Sequence, residues 1–170
     1  MRIIIKHHVG QRGFTLLLAA LVSSIVLAIG VSLSELAQKS IVLSSLGRDS
    51  QVAFAAADSG LECALYWDMR KNLFQIGVAP TLDPAPSCDG QNISVSVTNG
   101  DRSTYPYTLS FQFAPTSNGV SYCARVSITK TTNMSTGGIT SVVHSDGFST
   151  DCDSISTSQR ALQRSIELRY

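Results

Sequence analysis

The chain has 170 residues, of which 15% are charged, and its 13 basic and 12 acidic side chains leave a formal net charge of +1. This length suits one domain with an appendage. A charge so close to neutral offers no basic surface for nucleic-acid binding, so we expect no nucleic-acid partner.

The N-terminal segment joins a short basic leader to a long uncharged run. Residues 1–13 carry Arg2, Lys6 and Arg12 and no acid, whereas residues 14–33 carry no charge. Twenty residues of helix extend about 30 Å, enough to cross the apolar core of a bilayer. A cleaved secretory signal has a shorter apolar region, followed by a small-residue cleavage site, so the long run disfavours that alternative. Because the leader is basic, the positive-inside rule predicts a single-pass membrane protein with its N-terminus in the cytoplasm.

The junction between leader and apolar run, QRGFTLL, resembles the class III signal of type IV pilins and pseudopilins. In that family a prepilin peptidase cleaves after the glycine and N-methylates the next residue, which implies processing between Gly13 and Phe14. The resemblance makes residues 1–13 a prepilin leader and residues 14–34 a helix that spans the inner membrane and later fills the filament core. It also implies other pilin subunits and an inner-membrane assembly platform as partners, and a final place in a cell-surface filament.

The fifth mature residue departs from the family pattern, because Leu18 stands where the family has glutamate. That glutamate pairs with the N-terminal amine of a neighbouring subunit, which offsets the cost of burying charge in an apolar core. Leu18 cannot make this pair, so the resemblance implies a minor subunit that primes assembly or lies at the filament tip. Thr15, next to the processed end, and Gly30, near the depth at which pilin helices loosen, are further candidate assembly residues.

Two other functions fit the same N-terminal segment. A type II secretion pseudopilin carries the same kind of signal, so adhesion, motility, DNA uptake and secretion all stay open as roles of the filament. A single-pass membrane-anchored binding module outside the cytoplasm, never assembled into a filament, also explains the hydrophobicity and orientation. It does not explain the glycine that separates the basic leader from Phe14.

The segment after the apolar run has the pattern of an amphipathic helix. Apolar residues recur there at helical spacings: Leu36, Leu43, Leu46, Ala53, Ala57, Leu61 and Leu65. No proline occurs between Phe14 and Ala79. We therefore predict one helix from residue 14 to about residue 70, with an amphipathic half at 35–71 that lies against a sheet. Residues 72–91 contain three prolines and are predicted to form a loop.

The remaining residues, 92–170, alternate between apolar and polar as the strands of a one-faced antiparallel sheet do. The apolar positions of the predicted strands are Ile93, Val95 and Val97; Tyr107, Leu109, Phe111 and Phe113; and Val120, Tyr122, Ala124, Val126 and Ile128. A weaker strand is predicted over 139–144 and a last strand over about 161–170, with its apolar residues on one face, and Asn-Gly pairs at 99–100 and 118–119 are hairpin signals. The amphipathic helix is the only large apolar surface available to cover this sheet. We therefore predict an α+β fold in which a long N-terminal α-helix packs on a C-terminal antiparallel β-sheet, which is the pilin layout.

Four cysteines follow the membrane segment, at spacings that resemble no metal site: Cys63, Cys88, Cys123 and Cys152. An even number outside the cytoplasm indicates disulfides, and four cysteines allow three connectivities. Cys123 is out of phase with the apolar row of its strand, so it faces away from the helix, where the loop carrying Cys152 can fold over it. Cys63, near the helix end, has Cys88 as its closest partner in sequence. We therefore favour Cys63–Cys88 and Cys123–Cys152.

No residue pattern indicates an enzyme. His144 is the only histidine left after processing, and its neighbours Ser145 and Asp146 are adjacent in sequence, whereas the members of a catalytic triad converge from separate elements. Asp146, Asp151 and Asp153 offer oxygen ligands for calcium, although their spacing matches no EF-hand loop and solvated turn acids are the commoner outcome. We expect no cofactor and a structural role.

Overall fold

The computed structural model of the protein describes residues 12–77, 85–117, 119–132 and 137–170, with side chains from residue 14 onward. The chain divides into two units, residues 1–45 and residues 46–170, which are described separately below. Most of the predicted leader (residues 1–11), the middle of the predicted loop (78–84, with Pro80 and Pro84) and Asn118 of the second hairpin signal lie outside the described residues.

Helix α1 covers Arg12–Leu65 and is followed by one π-helical stretch, Tyr66–Arg70. The absence of proline and the wealth of alanine and leucine favour this uninterrupted helix. It ends where Asn72 takes a left-handed conformation, with φ of 54°. The amides of Asn72 and Leu73 then donate to the carbonyls of Asp68 and Trp67, which satisfies two acceptors at the helix end.

The described part of the second unit contains one five-stranded antiparallel sheet and two short ladders. The ladders pair β1 (Ser87–Cys88) with β2 (Gln91–Asn92), and β5 (Thr116–Ser117) with β6 (Val120–Ser121). The sheet consists of β3 (Ser96–Asn99), β4 (Tyr107–Phe113), β7 (Cys123–Thr132), β8 (Ile139–Phe148) and β9 (Gln163–Arg169), in the spatial order β3-β4-β7-β8-β9. Together with helix α1, this sheet confirms the predicted α+β layout.

Several elements differ from their predicted bounds. The strand predicted at Ile93, Val95 and Val97 begins only at Ser96, as β3, because the amide of Ile93 donates to the carbonyl of Pro86 instead, and Val97 is exposed. Strand β1 and the first residue of β2 lie inside the predicted loop 72–91. The strand predicted from residue 120 is divided, because β6 turns back onto β5 and β7 starts only at Cys123. Strand β8 extends to Phe148, beyond the predicted end at residue 144. The buried part of the helix begins at Ala53, whereas Leu36, Leu43 and Leu46 of the predicted apolar stripe are exposed.

Small residues bring the helix close to the sheet. Ala53 and Ala57 are fully buried. Opposite them lies Gly147 of β8, at which an added Cβ would collide with the helix backbone at Ala53 and Ala57. An added Cβ at Gly60 would lie 3.0 Å from Cγ2 of Val126 on β7 and would collide with Oγ of Ser145. Helix and sheet therefore meet in nearly direct backbone contact along this line.

The core lies between the helix and one face of the sheet. Its buried members on the central strands include Leu109, Phe111, Val126, Ile128 and Val143. The register places Leu109 opposite Ile128 and Phe111 opposite Val126, so the two apolar rows share one face. The predicted one-faced sheet, with its apolar side under the helix, is thus present.

Candidate functional site

The first unit consists, in its described part, of the exposed apolar portion of helix α1. Every described residue from 14 to 45 is exposed, and the large apolar side chains among them are 50–75% accessible. The most apolar stretch of the helix has a mean hydropathy of 2.6, so by length and composition this helix can cross a membrane. An exposed apolar surface of this extent is typical of a contact with a membrane or with another protein.

Serine hydroxyls within this segment are satisfied by the helix itself. Ser23 donates to the carbonyl of Ala20 at 3.0 Å, and Ser24 donates to that of Leu21 at 2.8 Å. Ser32 donates to the carbonyl of Ala28 at 3.0 Å. Because each hydroxyl bonds back to its own helix, these serines do not need water and are compatible with an apolar surrounding.

The predicted processing and assembly residues all lie on this helix. Gly13 and Phe14 belong to its first turn, and the Phe14 side chain is 70% exposed. Thr15 and Leu18 follow on the exposed surface. Gly30 lies in open space, where an added Cβ would meet no atom within 4 Å, and its backbone stays helical. Among the residues that the structure describes, none packs so closely that position 30 requires a glycine.

Two disulfides stabilise the second unit. Cys63 of the helix is bonded to Cys88 of β1, and Cys123 of β7 is bonded to Cys152 in the segment that follows β8. These are the two pairs that sequence separation and strand parity favour. The first bond joins the end of the helix to β1, where the indole nitrogen of Trp67 also donates to the carbonyl of Ser87 at 2.9 Å. The second bond covers the outer face of the sheet beside β7.

The three acidic residues considered for calcium have separate environments. Asp146 lies on the outer face of β8 and accepts hydrogen bonds from Gln163 at 2.8 Å and from Ser165. Asp151 accepts from the backbone amide of Ser154 at 2.8 Å and stabilises a turn, while Asp153 is exposed. Within the described ranges, no group of three His, Cys, Asp or Glu side chains is placed to hold a metal ion.

His144 joins Asp146 on the outer face and forms no triad with Ser145. Its Nε2 lies 3.1 Å from a carboxylate oxygen of Asp146, and its Nδ1 lies 3.6 Å from Glu167. Burial raises the pKa of Asp146, but hydrogen bonds from Ser165 and Gln163 together with His144 outweigh burial and hold that pKa below its usual value. Ser145 points to the opposite face, where its Oγ is buried under the helix and has no hydrogen-bond partner among the described residues.

The least expected feature of the second unit is a polar cluster at the end of the helix, formed by the buried residues Asp68, Lys130 and Ser141 and by the more exposed Tyr170. Nζ of Lys130 lies 2.7 and 2.6 Å from the two carboxylate oxygens of Asp68 and donates to Oγ of Ser141 at 3.0 Å. The Tyr170 hydroxyl donates to Oδ2 of Asp68 at 2.5 Å. Burial and this carboxylate raise the pKa of the Tyr170 phenol. The four residues line a cavity of about 300 Å³ that also contacts Met69, Asn72 and Tyr105.

Sequence reasoning missed this cluster, although one signal was available. Lys130 follows Val126 and Ile128 in the buried row of β7, and a lysine in such a row needs a carboxylate partner. Asp68 lies seven residues after Leu61 and thus near the buried side of the helical stripe. Pairing the two requires knowledge of which end of the sheet the helix reaches, which the pattern alone does not give.

A second tyrosine anchors the loop that follows the helix. The Tyr107 hydroxyl donates to the carbonyl of Phe74 at 2.6 Å, and burial raises the pKa of this phenol to about 12. Arg102 donates to the carbonyl of Leu73 at 2.6 Å in the same region. Chemically, the second unit offers structural hydrogen bonds and a covalently closed framework, while the first offers an apolar helix.

Comparison with known proteins gives no assignment. No protein-family model matches the chain, and no curated protein or solved structure matches it.

Proposed function

We propose that this chain is a type IV pilin-like structural subunit that assembles into a cell-surface filament. The observation that carries the proposal is the position of the QRGFTLL junction. Its residues 12–17 form the start of helix α1, and the exposed apolar segment begins within it at Phe14. The same helix continues to a sheet-packed part closed by two disulfides. A simple anchor needs the apolar segment but has no need for a glycine before Phe14.

The proposed pathway follows from the resemblance. The chain enters the inner membrane with residues 1–13 in the cytoplasm, because the leader is basic. A prepilin peptidase removes the leader after Gly13 and methylates Phe14. An inner-membrane platform then transfers the apolar helix from lipid to the filament core, where helices of other subunits cover the surface that lipid covered before.

Leu18 makes a minor, priming or tip role the best supported one. Within a filament shaft, each subunit's glutamate neutralises the N-terminal amine of a neighbour. A subunit with Leu18 leaves one such amine without its carboxylate, and an uncompensated buried charge is costly, on the order of 3–5 kcal/mol. The cost disappears at a filament end, where no neighbouring amine faces position 18.

N-terminal analysis of the mature protein tests the proposal. The full chain is expressed with and without a prepilin peptidase, and the first residue is determined by mass spectrometry. We expect N-methylated Phe14 only when the peptidase is present. Gly13→Val should block cleavage because the bulky side chain replaces the family's glycine, and Gly10→Val, a leader glycine away from the junction, is the matched control. An intact leader in the presence of active peptidase would instead support the membrane-anchored module.

A further inference from the structure

The polar cluster at the helix end holds a nucleophile and an electrophile in contact. Lys130, on β7, and Asp68, at the end of the helix, are separated by 62 residues, yet Nζ touches both carboxylate oxygens. The amine is fixed by a third contact to Ser141, and the carboxylate is fixed by Tyr170. Few degrees of freedom remain in either side chain.

Water is largely excluded from this pair. The side chains of Lys130 and Asp68 are only 7% and 3% exposed. Two buried charges keep a desolvation cost that their attraction offsets only in part, so a neutral product that fills the same space is favoured in such a site. Enforced contact also replaces an encounter in solution, with effective molarities on the order of 10⁵–10⁸ M for well-oriented groups.

We propose that Lys130 and Asp68 condense into an intramolecular isopeptide bond. The ammonium first transfers one proton to Oδ1 of Asp68, which makes both groups neutral. The free amine then attacks Cγ, and a second proton passes from nitrogen to the Oδ1 hydroxyl as the Cγ–Oδ1 bond breaks. One water molecule leaves, the third proton stays on the amide nitrogen, and Oδ2 becomes the amide carbonyl. No oxidant, cofactor or second substrate is needed.

The neighbouring groups have positions that serve this reaction. The Tyr170 hydroxyl donates to Oδ2, the oxygen on which negative charge develops when Cγ becomes tetrahedral, so it stabilises that intermediate. Ser141 Oγ accepts a hydrogen bond from the amine and so holds the nitrogen beside the carboxylate. The cavity of about 300 Å³ beside the pair gives the released water a way out.

Intact mass of the full chain, purified in detergent and reduced, tests the proposal directly. We expect the mass to be lower than the sequence mass by one water molecule. Tryptic digestion should give a branched peptide that joins residues 49–70 to residues 126–160, because trypsin does not cleave at an acylated lysine. A wild-type chain with the full mass and separate peptides would overturn the proposal. This result is independent of leader processing, so it fails or holds separately from the filament assignment.

Two lysine variants distinguish the linkage from a salt bridge. Lys130→Arg keeps a cation beside Asp68 but cannot form the amide, so it should show the full mass. Lys71→Arg alters an exposed lysine close to Asp68 in sequence and should keep the loss of water. A water loss that persists in Lys130→Arg would contradict the assignment.

Tyr170→Phe tests the positioning role of the phenol. The time course of linkage is followed by mass after the denatured, reduced chain is returned to folding conditions. We expect linkage at least tenfold slower than in wild type, with the same branched peptide at the end, because the variant lacks only the donor to Oδ2. An unchanged time course would remove Tyr170 from the reaction.

Discussion

Individual small residues determine how closely the helix and the sheet approach. Gly147 faces the helix backbone at Ala53 and Ala57, and Gly60 faces Ser145 and Val126. Ser145 fits under the helix only because position 60 lacks a side chain, and its hydroxyl is buried without a hydrogen-bond partner. The close contact between helix and sheet thus depends on the lack of a side chain at Gly60 and Gly147 rather than on an apolar side chain.

Gly60→Ala should destabilise the second unit, even though alanine is the better helix former. The added Cβ overpacks against Ser145 and Val126, which costs about 1–3 kcal/mol. Gly47→Ala is the matched control, because its Cβ meets nothing within 4 Å and should stabilise by up to about 1 kcal/mol. Urea unfolding of the detergent-solubilised chain measures both, and equal effects of the two substitutions would contradict the close contact.

Ser145→Ala should rescue Gly60→Ala in part. The serine contributes no hydrogen bond, so its removal alone should cost little, and it takes away the atom nearest to the new Cβ. We expect the double variant to be more stable than Gly60→Ala by about 1 kcal/mol, a coupling typical of residues in contact. Additive free energies of unfolding in a double-mutant cycle would show that the two sites do not touch.

Asp146 should make the outer face of the sheet sensitive to acid. Its folded-state pKa lies below the ordinary value of 3.8, because hydrogen bonds from Ser165 and Gln163 outweigh the burial that raises it. The resulting stabilisation is complete above about pH 4–5 and is lost as the pH falls through the lowered pKa. Asp146→Asn should therefore flatten the loss of melting temperature between pH 5 and 2, whereas Asp153→Asn, at an exposed position, should leave it unchanged. Parallel curves for wild type and Asp146→Asn would refute this.

At the scale of elements, the spacing of apolar residues predicts the regular helix and strands. It misses structure that depends on contacts with another element. The helix and strands β4, β7 and β9 follow from periodicity because each presents one apolar face. The spacing of apolar residues does not predict the end of β8, because Ser145, Asp146 and Gly147 are typical turn residues. They nevertheless form a strand, at a position where the close helix leaves room only for small side chains. The β5–β6 hairpin was merged with β7 because Val120 and Tyr122 continue the alternation of the next strand.

The functional residues divide in the same way. The junction and the apolar helix are local features, so the sequence displays them fully. The cluster around Asp68 and Lys130 depends on contacts across 62 residues, and no local pattern encodes them. The cysteine pairing is partly predictable from the sequence, because strand parity restricts it to one face of the sheet.

The disulfide between β7 and the segment after β8 should protect that segment from proteolysis. Cys123→Ala with Cys152→Ala opens a loop of 29 residues, which in the chain-entropy model costs about 3–4 kcal/mol. The same bond ties the segment between β8 and β9 to the sheet at Cys152, and Arg160 is an exposed residue of that segment. We expect trypsin to cleave the double variant at Arg160 much faster than wild type. The Cys63–Cys88 bond does not hold this segment, so the variant without Cys63 and Cys88 is the matched control. Equal cleavage at Arg160 in the two variants would contradict a local protective role.

At the scale of the whole molecule, two kinds of surface are joined in one chain. Residues 14–45 expose many apolar side chains, which is unfavourable in water. Residues 46–170 form their own core and two disulfides. In the proposed function, lipid covers this apolar surface before assembly and helices of other subunits cover it afterwards. The proposal then makes position 18 the residue that limits entry into a filament shaft.

Leu18→Glu should change where the protein is found in a filament. The new carboxylate lies at the fifth mature position, where it can neutralise a neighbour's N-terminal amine and remove the cost of an unpaired buried charge. We expect labelled Leu18→Glu chains to increase several-fold along the shaft, while wild-type chains stay at filament ends, as counted by immunogold electron microscopy. Leu17→Glu places the same charge one residue away, about 100° around the helix, and should not enter the shaft. Wild-type label spread evenly along the shaft would refute the end position, because Leu18 would then be tolerated at every level of the filament.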